Sequence, residues 1–223
     1  MKHRNKKTAH TASQLLDDAK LNIKKCNYYE ALHNVNAYLL FNQHSEEGLL
    51  IKGLCYLYLA ETDKARFLFD VVMEQNKDNA FAYYCYAEYY KLNLDYKIAL
   101  AHVNTAICID EENTIYYRLA VELSFFMGEL ENAYTLINRA IVVNPFKEDL
   151  YFWRAMILAH MHKYTVAIHD LTRAIGLEPA YADAYRLKAK LMLKTGQRAN
   201  AIKDLHKARQ LERLASEHLS SAA

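Results

Sequence analysis

The chain has 223 residues, with 28 Lys and Arg against 26 Asp and Glu, so its net charge of +2 creates no long-range field that would steer it toward nucleic acid or an anionic membrane. Five glycines and two prolines are too few for the turns of a sheet protein, whereas short connections between helices need little of either. No stretch approaches the roughly 18 consecutive apolar residues that a membrane span requires.

Residues 1–11 form a basic leader with no apolar segment behind it, and an unstructured end is expected there. From Ala12 to Ala215 the sequence then repeats every 34 residues, six times without insertion: 12–45, 46–79, 80–113, 114–147, 148–181 and 182–215. Position 20 of every copy is alanine (Ala31, Ala65, Ala99, Ala133, Ala167, Ala201). Position 8 is small in five copies, and positions 4 and 24 are always large and apolar or aromatic. At the 3.6-residue period, positions 4, 8 and 11 share one face of a first helix and positions 20, 24 and 27 one face of a second. Helices approach closely only where side chains are small, so the alanine columns mark a crossing and the bulky columns fill the space around it.

The connections carry matching signals. Ser45, Asn79 and Asn113 stand at position 34 of successive repeats, where a short polar side chain can accept from the free N–H groups of the next helix. Pro145 and Pro179, at position 32, should end the preceding helix, and Gly128 and Gly196, at position 15, should turn the chain between two helices. In the first repeat Asp18 and Asn22 replace apolar residues, which suits an N-terminal cap that faces water. In the last repeat Leu205, Ala208, Leu211, Ala215 and Leu219 keep a helical spacing past the repeat's end, so a capping tail over 216–223 is expected. That extension either covers the final repeat or offers an apolar face for a homo-oligomer.

No catalytic constellation is visible. His160, His162 and His169 are close in sequence, but the first two are two apart and point away from each other on a helix, and the third follows the next turn. There is no phosphate-cradling glycine loop and no nucleophile motif. A non-enzymatic chain with no metal and no cofactor is expected. Cys26, Cys55, Cys85 and Cys108 show no paired spacing, so they read as reduced thiols, which favours a cytoplasmic location.

The 34-residue grid resembles the tetratricopeptide repeat, most completely in the fifth copy through Tyr151, Ala155, Tyr164, Ala167, Leu171, Ala174 and Pro179. The resemblance implies an all-α, right-handed superhelical solenoid of six helix-turn-helix units with a C-terminal helical extension. Position 7 departs from the family's leucine (Asp18, Lys52, Tyr86, Ala120, Arg154, Lys188) while position 6 is apolar in five copies, which suggests first helices rolled slightly from the family norm.

In this family positions 2, 5, 9, 12 and 13 of the first helices line a concave groove that holds a partner segment. Carried over, they give Leu50, Leu54 and Tyr58 in the second repeat and Phe81, Tyr84 and Glu88 in the third. The fourth contributes Arg118, Glu122, Phe125 and Phe126, the fifth Phe152 and Met156, and the sixth Arg186 and Lys190. Members that grip the carboxyl terminus of heat-shock chaperones use a clamp of polar residues, and its places hold Leu16, Lys20, Ile51, Phe81 and Cys85 here, so that clamp is absent. The resemblance implies a scaffold or adaptor that binds a protein or peptide; the alternative is a chaperone for an exported or assembling protein, similar to the tetratricopeptide chaperones of secretion systems. Glu47, Glu88, Glu122 and Asp149 in mid-groove argue against nucleic acid.

Overall fold

The computed structural model describes the backbone of residues 2–221 and the side chains of residues 12–217. The side chains of the expected leader over 1–11 and of most of the tail over 216–223 lie outside the described residues. Among the described residues there are twelve helices and no strand: α1 (Lys2–Lys24), α2 (Tyr28–Leu39), α3 (Glu46–Tyr58), α4 (Thr62–Gln75), α5 (Ala80–Leu92), α6 (Tyr96–Ile109), α7 (Thr114–Phe126), α8 (Leu130–Val143), α9 (Glu148–His160), α10 (Tyr164–Leu177), α11 (Ala182–Lys194) and α12 (Arg198–Ser221). The chain divides into two compact units, 1–111 with α1 to α6 and 112–223 with α7 to α12. Within each unit every odd-numbered helix packs on the helix that follows it.

Local chemistry explains the boundaries. The Gly48 N–H donates to Ser45 Oγ at 3.1 Å, the Ala82 N–H to Asn79 Oδ1 at 2.9 Å and the Ile115 N–H to Asn113 Oδ1 at 3.2 Å, so all three expected caps close the helices that follow them. Helices α8 and α10 stop two residues before Pro145 and Pro179. Gly128 and Gly196 adopt left-handed φ values of 78° and 82° between the helices of a pair. The same left-handed turn occurs at position 15 of the other four repeats on Cys26, Ala60, Leu94 and His162, residues that gave no sequence signal for it.

The alanine columns form the core. All six alanines of position 20 are fully buried, as are Ala19, Ala87, Val121, Ala155 and Ala189 of position 8. The sixth member of that column is Gly53, where an added Cβ would stand 2.4 Å from Phe69 Cε1. Phe69 occupies the volume that a larger residue at position 8 would need.

Position 7 has a use that a rolled helix does not explain. In repeats three, five and six its side chain meets position 23 of the same repeat, and in repeats three and five it also meets position 25 of the preceding repeat. In unit two, Arg154 Nε donates to Asp170 Oδ2 at 2.8 Å and its Nη2 to Asp170 Oδ1 at 2.7 Å, while Nη1 donates to Asn138 Oδ1 at 2.8 Å. Within the sixth repeat, Lys188 Nζ stands 3.2 Å from Asp204 Oδ2. In unit one, Tyr86 donates its hydroxyl to Asp70 and its ring stacks on His102, with centroids 5.4 Å apart. Repeat four fills the same seam with buried Ala120 and Leu136.

Candidate functional site

The groove positions of unit one belong largely to its interior. Leu50 and Leu54 are buried in a core formed with Leu57, Ala65, Phe69, Val72, Ala82 and Cys85, which removes both from the candidate surface. The reason is the neighbouring helix: α5 packs directly on α3 and covers the face on which they lie. Glu88 is likewise buried, accepting the Tyr84 hydroxyl at 3.0 Å on Oε1, with Lys91 Nζ 2.8 Å from Oε2. Around it Tyr58 stacks on Tyr28 with centroids 5.0 Å apart, and Phe81 on Tyr84 at 5.8 Å. Burial, reinforced by the Glu88 charge, raises the Tyr58 pKa far above the usual phenol range, so this hydroxyl stays neutral. The Lys20 ammonium pairs with Glu47 at 2.6 Å. The result is a tyrosine layer over a buried carboxylate paired with Lys91, with Tyr58, Phe81 and Tyr84 half-buried. Leu16, Ile51 and Cys85, at clamp positions, are core residues.

Unit two is more open. Phe126 is 59% exposed at the end of α7, and Phe125, Phe152 and Met156 are half-buried. Phe125 gathers an orthogonal group: its centroid lies 4.7 Å from the His160 ring, 6.2 Å from Phe126 and 6.3 Å from Trp153. His160 Nδ1 stands 2.9 Å from the Met156 carbonyl oxygen, which only accepts, so Nδ1 carries the proton and fixes the ring against Phe125. Phe152 packs on Tyr181 at 5.1 Å. Sequence reading gave Trp153 no part in the groove and set His160 aside as a metal ligand; the aromatic neighbours one turn away were the signal for their actual setting.

The polar members frame these rings. Arg118, Arg186 and Lys190 are exposed and Glu122 is half-buried. Arg186 Nη1 donates to Asp183 Oδ1 at 3.1 Å, and the guanidinium also meets Glu212 of α12. Burial raises the Asp149 pKa, with Lys147 and Arg118 pulling it back, and burial together with the Asp149 charge pushes the Tyr181 phenol up to about 12. Among the described residues no three His, Cys, Asp or Glu side chains could hold a metal ion, and no helix is long and apolar enough to cross a membrane. The cysteines are free thiols, Cys55 and Cys85 buried and Cys26 and Cys108 exposed.

Neither a protein-family model nor a curated protein matches the sequence. Solved structures match in fold. MamA shares 19% identity over 74% of this chain and 96% of its own, with a TM-score of 0.67. YrrB, described as a TPR protein with an unusual peptide-binding site, shares 18% over 84% of this chain and 97% of its own, at 0.61. PilF of Pseudomonas aeruginosa shares 14% over 96% of this chain and 99% of its own, at 0.70. At these identities the likeness establishes the fold, an all-α array of tetratricopeptide-type repeats.

Proposed function

We propose that this chain of tetratricopeptide-type repeats is a non-enzymatic, cytoplasmic interaction scaffold that takes a protein or peptide segment on the first-helix face of its second unit. The observation that carries this reading is the set of aromatic and apolar side chains left partly open on α7 and α9: Phe125 and Phe126, gathered with Trp153 and His160, and Phe152 and Met156. A soluble chain that leaves such side chains open on one face usually does so for a partner. In unit one the equivalent positions Leu50, Leu54 and Glu88 are buried, so unit two is the better seat. The peptide-binding site named for YrrB gives the same fold a precedent for this use.

The test uses Phe126→Ser and Met156→Ser. Large apolar anchors at interfaces contribute about 2 kcal/mol or more each, so partner capture should fall at least tenfold while the melting temperature stays near wild type. Unchanged capture with an intact fold moves the binding surface elsewhere. A second reading, a chaperone for an exported or assembling protein, draws on the apolar character of the same side chains. It is distinguished by suppressed aggregation of an unfolded apolar client in place of a stable stoichiometric complex.

A further inference from the structure

Charge is unevenly distributed along the chain. The last repeat, 182–215, carries nine Lys and Arg against three Asp and Glu, whereas the second and third repeats, 46–113, carry six against twelve. Part of this imbalance lies in two helical stripes of identical spacing. On α12, Ala201 and Ala208 are buried and Asp204 is tied to Lys188 of α11, so the face turned away from α11 presents Ile202, His206, Arg209 and Arg213. On α4, Ala65, Phe69 and Val72 are buried, and the opposite face presents Asp63, Phe67, Asp70 and Glu74. Both stripes step by four, three and four residues, so each runs straight along its helix. Each also exposes one large apolar residue, Phe67 at 66% and Ile202 at 54%.

We infer that α12 of one copy docks on α4 of a second copy. With the helices parallel and the stripes in register, Asp70 meets Arg209, Glu74 meets Arg213 and Phe67 covers His206. Nearby groups temper the contact: Arg213 already holds Glu217 at 2.8 Å, and Arg66 Nε lies 3.8 Å from Asp70, which also accepts the Tyr86 hydroxyl. Lys64, next to Asp63, is paired with Glu61. Exposed ion pairs are individually weak and screened by salt, and one helix face is less than a stable dimer buries, so the association is weak and favoured by low ionic strength. Because the two surfaces differ, the contact is heterologous and leaves a free α4 and a free α12 at the ends, which permits chains of copies.

Sedimentation equilibrium of the full chain tests this. At low salt the average mass should rise with concentration beyond that of two copies, and physiological salt should return it to the monomer. Arg209→Glu with Arg213→Glu, or Asp70→Arg with Glu74→Arg, should each remain monomeric, and an equimolar mixture of the two variants should associate again. The acidic α12 of the first then meets the basic α4 of the second. A wild type that stays monomeric at every concentration and salt overturns the proposal, as does failure of the mixture to associate when both variants melt like wild type. Loss of binding to anionic phospholipid vesicles or to duplex DNA on reversal of the α12 charges, with the mass of the protein unaffected, assigns the stripe to a different partner and likewise overturns it.

Discussion

The two units solve the same packing problem with different chemistry. Where position 7 meets positions 23 and 25, unit two uses a bidentate Arg154–Asp170 pair braced by Asn138, with Asp170 only 2% exposed. Unit one uses Tyr86, which stacks on His102 and gives its hydroxyl to exposed Asp70. A buried charge pair adds little net stability but is expensive to leave half-made, whereas a tyrosine seam loses only contact area and one modest hydrogen bond. Equal geometry therefore gives unequal sensitivity to mutation. Repeat four, which fills its seam with Ala120 and Leu136, shows that neither charge nor phenol is required to close it.

The largest expected effect breaks the charged seam. Arg154→Leu strands the Asp170 carboxylate and should cost about 3 to 5 kcal/mol in urea unfolding. The double change Arg154→Leu with Asp170→Leu should recover most of that loss, since it copies the apolar seam of repeat four; a double variant as unstable as the single one would show that the pair itself holds α9 to α10. The alanine crossings rank next and should be alike in the two units. Ala99→Leu in unit one and Ala133→Leu in unit two each overpack a fully buried contact and should cost about 1 to 3 kcal/mol. Tyr86→Phe removes one hydroxyl from the neutral seam and should cost about 1 kcal/mol, well below Arg154→Leu.

The neutral seam also has a pH signature. Burial lowers the His102 pKa, and the ring stacks on both Tyr86 and Tyr90, with centroids 5.4 and 5.2 Å away. The unfolded chain thus binds this proton more readily than the folded one. Stability is complete above the ordinary histidine value of about 6.5 and declines as pH falls below it toward the depressed folded value. Comparing the urea midpoints at pH 7.5 and 5.5, His102→Leu should show a smaller acid loss than wild type; an equal loss in both would assign the pH dependence to other groups. The smallest effect concerns a turn. Leu94 holds a left-handed φ of 64° that favours glycine, so Leu94→Gly should raise stability by about 0.5 kcal/mol once the added flexibility of the unfolded chain is offset.

Much of the architecture was written in local chemistry. The 34-residue period, the alanine at position 20 and the polar caps Ser45, Asn79 and Asn113 each act within a repeat or at its edge, where sequence spacing and spatial neighbourhood coincide. The candidate surface was less legible. Tyr84 and Phe126 kept part of their predicted exposure, but Leu50, Leu54 and Glu88 on equivalent positions are buried, because their exposure depends on how far the next helix covers them. A column index cannot report that distance.

By itself the sequence determined an all-α repeat array, its helix starts and the small residues at its crossings, because those follow from periodicity and short-range hydrogen bonding. Only the tertiary structure decided the purpose of Tyr86, Arg154 and Lys188 at position 7, whose partners lie 16 residues away in the chain. Tertiary packing also decided that all six position-15 residues, four of them not glycine, turn left-handed. In each case packing between helices compensates for a local preference that, read alone, pointed elsewhere.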